Sequence, residues 1–222
     1  MLIDPHHRDD RLARIGTSWT ILEKALRRGE EGWRSATPSH GVDAPSQYAH
    51  RWRLAALRDE QKLHHGWDNA RLLQIELTVD AERTTAIQTL SGDHHTGSPN
   101  PAAVPRNRHP RGPKGQRLLT GRGGHEQLAL FPETPPIRHN EVSLDGCEEL
   151  EVWVLLVHRV DDSGDGRVFW HSELSRPHPP NARGYITGWH ERILLPALEI
   201  GAVVLPEGDE GPEGLDVPVN FR

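Results

Sequence analysis

Residues 91–115 read SGDHHTGSPNPAAVPRNRHPRGPKG, a stretch that joins the side chains of proton transfer, metal ligation and phosphate recognition. Asp93, His94 and His95 stand side by side, and Asn100, Asn107 and His109 follow them. An imidazole takes or gives a proton near neutral pH, and imidazoles joined by a carboxylate hold a divalent metal. On that chemistry His94 and His95 are the candidate catalytic pair. Asp93, His95 and His109 are the candidate metal ligands. The alternative for the same residues is a polar loop in which Asp93 makes a turn and the histidines face solvent.

The second feature is charge. Residues 97–125 hold six basic side chains, Arg106, Arg108, Arg111, Lys114, Arg117 and Arg122, and no acidic one, among five prolines and six glycines. Guanidinium forks match phosphate oxygens, and each neutralised phosphate releases counterions. Arg106, Arg108, Arg111, Lys114 and Arg117 are therefore the candidate nucleic-acid-binding residues. The segment has no Phe, Trp or Tyr to stack on bases, so the reading predicts contact with DNA or RNA by charge, with little sequence preference. A solubilising linker, or a segment docked on the chain's own acidic tail, is the competing reading. The order of a histidine at a strand end, an asparagine in a loop and a later histidine loosely resembles the HNH-type nucleases. That resemblance implies a metal-dependent phosphodiesterase, in which one imidazole activates water while another histidine and an acidic residue hold a divalent cation. The binding reading requires no cofactor.

A third constellation lies on a hairpin. The arms ELEVWVLLVHRV and RVFWHSELS flank a polar turn, taken at 161–166. This register pairs His158 with Phe169, Leu156 with His171 and Val154 with Glu173. One face then carries His158, His171 and Glu173, a possible second polar site, and the other Trp153, Leu155, Val157, Trp170 and Leu174. Covered by a helix at 185–195, the first face would need its polar groups partnered, by each other or by a metal with His190 or Glu191. Cys147 sits among acidic residues in DGCEEL, which disfavours its thiolate and argues against a catalytic role.

These residues must be positioned by the remaining elements. Leu12, Ile15, Trp19, Leu22 and Leu26 recur at helical spacing, which predicts a helix over 9–28 stopped at Gly29. A second helix is expected over 46–65, ending at Gly66. Leu73, Ile75, Leu77 and Val79 alternate with polar residues as in a half-buried strand, and TAIQTL is expected to return beside it. GYITGWHERILL predicts a helix, and GAVVL a last short strand. The order points to an α+β fold: a mainly antiparallel sheet with a β-hairpin and C-terminal helix, two N-terminal amphipathic helices and a long Pro/Gly-rich basic loop. The expected division is a helical segment over 1–68, an α+β core over 69–205 with the irregular basic loop 92–125, and an acidic tail over 206–222.

Composition limits the function classes. Over 222 residues the net charge is −6, so an anionic partner must be met by a local patch. One cysteine excludes an internal disulfide and a cysteine-based zinc site. No run approaches the roughly 18 apolar residues of a membrane span, and the start MLIDPHHRDD lacks a secretory pattern. The 15 histidines are an excess for this length. These features lead to the expectation of a small cytoplasmic binding protein, bacterial, histidine-rich and acting as an accessory factor on nucleic acid. A metal-dependent nuclease is the alternative. A further alternative is an interaction module that docks another protein through helices 9–28 and 46–65.

Overall fold

The computed structural model describes residues 1–120, 150–162 and 167–201. The first helical layer has three helices rather than two. α1 (Arg8–Ile15) ends at Gly16, whose φ of 83° is the left-handed geometry that stops a helix, and α2 (Trp19–Arg34) restarts behind the Ser18 cap. The single stripe of 9–28 is thus divided between two helices. α2 does not stop at Gly29. It runs on because Gly29 and Gly32 face α3 (Ala44–His65), where a Cβ on Gly32 would stand 2.7 Å from the Tyr48 carbonyl oxygen. Helix α3 closes at Gly66, also left-handed.

The sheet is mixed and mostly antiparallel. Its order among the described residues is β1 (Asp68–Leu72), β2 (Ile75–Val79), β3 (Thr85–Ser91), β4 (Glu151–Asp162), β5 (Arg167–Pro177) and β6 (Trp189–Leu194), with β7 (Leu198–Ile200) on the other end of β5. Among the described strands only β3 and β4 pair in parallel, so the chain between them must cross over, and α4 (Pro113–Thr120) lies on that crossover. The fold is α+β.

The β4–β5 register differs from the expected one by two residues. His158 opposes His171, Leu156 opposes Glu173 and Val154 opposes Ser175, because the strands run on to an Asp162–Arg167 pair. A shift of two preserves the faces, which is why the alternation pattern could not distinguish the registers. The turn itself, 163–166, lies outside the described residues.

One sheet face belongs to the helices. Trp153, Leu155, Val157, Trp170, Leu174 and Ile87 pack with Leu12, Ile15, Leu22, Leu26 and Leu57 in the largest core. Trp153 has no exposed surface, and its truncation to alanine would cost about 3–5 kcal/mol. The stripe of 9–28 is therefore used inside the chain, whereas α3 gives Ala49 and Leu57 to this core and leaves Leu63 exposed. Trp19 packs partly against this core, and Trp52, 37 % exposed, lies under the Arg28 guanidinium.

The opposite face is closed without the expected C-terminal helix. Residues 189–194 form β6, and the residues before them run as loop across the sheet. A β-bulge between Arg176 and Pro177 explains the misreading. Ile193 joins the helix-side core, whereas Ile186 and Trp189 pack on the other side against Val154 and Leu156. Three residues at helical spacing thus serve two sides of a sheet. The expected strand GAVVL falls mostly on residues outside the described set; β7 ends just before it. The acidic tail 206–222 also lies outside it. No helix among the described residues is long and apolar enough to cross a membrane.

Candidate functional site

The irregular segment 92–112 is laid over the second sheet face and tied to it by polar groups. Its central tie is a buried ion pair. Glu173, fully buried, accepts from Arg192 Nη2 at 2.6 Å and Nε at 3.1 Å, from Ser175 Oγ at 2.8 Å and from the Gly97 amide at 3.0 Å. Arg192 extends the tie by donating to the Ala103 and Ser98 carbonyls, at 2.9 and 3.3 Å. A buried carboxylate that accepts four hydrogen bonds has no lone pair left for a metal or substrate. Glu173 thus faces Arg192 and the overlaid segment and is engaged there, away from the pairing of His158 with His171.

Asn107 makes the next tie. It is 3 % exposed, donates through Nδ2 to the His109 and Gly184 carbonyls at 2.6 and 3.1 Å, and accepts the Ile186 amide at 2.7 Å. Trp189 Nε1 donates to the Pro105 carbonyl at 3.0 Å. At Gly184, with φ of 82°, a Cβ would lie 2.4 Å from the Arg111 carbonyl oxygen, so only glycine permits this crossing of two loops.

The chain beyond β3 pairs with its own return. Gly92 bridges Asn107, the Arg108 amide donates to the Ser91 carbonyl at 2.8 Å, and the Asp93 amide to the Arg106 carbonyl at 3.0 Å. Side chains alternate along such a pair, so Asn107 turns inward and Arg106 and Arg108 turn outward. Both are exposed, as is Lys114 on the first turn of α4. Among the described residues no carboxylate forms an ion pair with any of these three. Arg117 is half-buried on α4.

Arg111 departs from its expected role. It is 9 % exposed, donates from Nε to the Gly115 carbonyl at 3.1 Å, and burial pushes its guanidinium down to about 10. Its guanidinium is turned into the α4 entry and does not share the exposed surface of Arg106 and Arg108. Arg122 lies outside the described residues.

The histidines separate into two groups. Asp93 caps its own turn, accepting the His95 amide at 3.1 Å, and His94 and His95 lean together with ring centroids 3.9 Å apart. His109 is exposed, on the far side of the Asn107 tie. Asp93, His95 and His109 are not gathered as a ligand set: among the described residues no group of three or more His, Cys, Asp or Glu side chains is arranged to hold a metal ion. His190 is exposed and stacks on His178 at 3.8 Å, and Glu191 pairs with Arg11, so neither joins His158.

His158 and His171 do meet. They are a cross-strand pair, both half-buried, at the edge of the overlaid segment. Burial holds the His158 imidazole below its ordinary range. A backbone hydrogen bond with Gly92 opposes this, His171 and Arg108 push further down, and Asp93 pushes back. Gly92 allows the approach, because a Cβ there would stand 2.7 Å from Leu156 Cγ. The sequence could place His158 and His171 on one face; it held no signal that Arg108 and Asp93 would reach them.

Comparison of the chain with family models, curated proteins and solved structures finds no match in any of the three.

Proposed function

We propose that the protein binds an anionic polymer, nucleic acid foremost, on the outer surface of residues 92–114. The reading rests on one observation: Arg106, Arg108 and Lys114 are exposed and unmatched by any described carboxylate, on a segment whose inward side is fixed by Asn107, Glu173 and Arg192. Cations on a fixed backbone lose less conformational entropy when they meet phosphate than cations on a free linker. No aromatic side chain accompanies them, so affinity comes from charge and sequence preference is weak.

Fluorescence anisotropy with a labelled single-stranded oligonucleotide tests this. Binding should weaken steeply with salt. The R106A/R108A/K114A variant should retain its fold and lose about two to three phosphate contacts from the salt slope, each worth about 0.7 in log K against log salt. Absence of binding at low ionic strength, or an unchanged slope in the variant, would contradict the proposal.

A further inference from the structure

We infer that His158 and His171 form a metal-independent acid–base pair that cleaves RNA held by the neighbouring cations. The inference rests on the binding proposal and adds to it a substrate class and a reaction. Its geometry starts with two imidazoles paired directly across β4 and β5, which places their Cβ atoms about 4.5–5.5 Å apart. Gly92 hydrogen-bonds to the Val157 carbonyl at 2.7 Å and brings the strand end bearing Asp93 and Arg108 alongside. Arg108 is exposed beside the pair and belongs to the proposed phosphate surface. Two histidines and an arginine are a sufficient set for transesterification within RNA, because the substrate supplies its own nucleophile in the 2′-hydroxyl.

In the inferred step one imidazole removes the 2′-OH proton as the oxygen attacks the adjacent phosphorus. The 2′-O–P bond forms and the P–O5′ bond breaks. The second imidazole, as imidazolium, gives its proton to the departing 5′-oxygen. The products are a 2′,3′-cyclic phosphate and a free 5′-hydroxyl, with no change of oxidation state. His158 takes the base role, since of the two half-buried rings it is the one beside the Gly92 backbone. His171 takes the acid role. Arg108 offsets the charge that develops on the non-bridging oxygens. Asp93, Arg108 and His171 are the charged or titratable groups whose fields act on His158. DNA lacks the 2′-hydroxyl and should bind without being cut.

The test uses the full chain with an end-labelled single-stranded RNA and the DNA of the same sequence, in excess EDTA. Binding by anisotropy and cleavage by gel are read on the same samples. The expected result is binding of both, cleavage of RNA alone into cyclic-phosphate ends, and a loss of about 100-fold or more in rate for H158Q and for H171Q. Affinity should stay within about twofold in both variants. Circular dichroism reports whether they fold. Should one not fold, the pH profile of the unaltered protein decides: a two-histidine mechanism requires a bell, with its lower limb below the ordinary imidazole range. RNA that is bound but intact overturns this inference and leaves the binding proposal standing. Failure to bind RNA overturns both. Cleavage abolished by EDTA, surviving in an H158Q/H171Q double variant, or lacking the bell also overturns the inference.

Discussion

The two faces of the β4–β5 ladder are closed by opposite means. On one, helices α1, α2 and α3 lay apolar stripes over Trp153, Leu155 and Leu174, and each helix satisfies its own backbone. On the other, Ile186 and Trp189 pack on Val154 and Leu156, and the irregular segment 92–112 has amides and carbonyls that are met singly by Asn107, Arg192, Glu173 and Trp189. A helical cover is redundant, since many contacts share the load. A loop cover depends on a few buried polar residues, and in return it leaves its outer surface free for recognition.

That contrast is sharpest in the buried charges. Each face encloses a glutamate: Glu173 beneath the loop, and Glu30 on the helical side, held by Arg159, Arg34 and Trp170 Nε1. Replacing Glu173 with alanine strands the Arg192 charge and should cost about 3–5 kcal/mol in urea unfolding. Joint replacement of Glu173 and Arg192 with methionine should recover most of that loss. E173A should also weaken nucleic-acid binding by loosening 92–112, whereas E30A, though comparably destabilising, should leave binding intact in the folded fraction. Equal effects of the two variants on binding would break the comparison.

A smaller effect belongs to the helical side. His50 on α3 is held down to about 4, by burial first and then by Arg53 and Arg51. In the unfolded chain it would titrate near 6.5. Above about pH 6.5 both states are neutral and the group contributes nothing to pH dependence. As pH falls toward about 4 the unfolded chain takes the proton first, so stability drops, by about 3 kcal/mol, and then levels. H50L should flatten that part of the stability–pH curve, measured by urea titration across the range.

The helical face was the legible one. The spacing of Leu12, Ile15, Leu22 and Leu26 and the alternation around Trp153 point to partners of matching period, and such patterns survive a break at Gly16 or a shift of two in register. The loop face has no period to read. Asn107 looks like any turn asparagine until Gly184 and Ile186 arrive from 77 and 79 residues away. Arg111 reads in the sequence like the exposed Arg106 and Arg108, yet Gly115 and Gly184 enclose it. For the candidate site, charge composition located the segment, and long-range packing decided which cations it exposes.

The central claim is that residues 92–112 are an ordered layer of the fold and not a charged linker. Amide hydrogen exchange tests it most directly, because the Asp93, Arg108, Arg111 and Ile186 amides each donate to a partner across this layer. The account predicts that these four exchange slowly, on the scale of the β4 and β5 amides. Exchange at the rate of an unstructured peptide would contradict it.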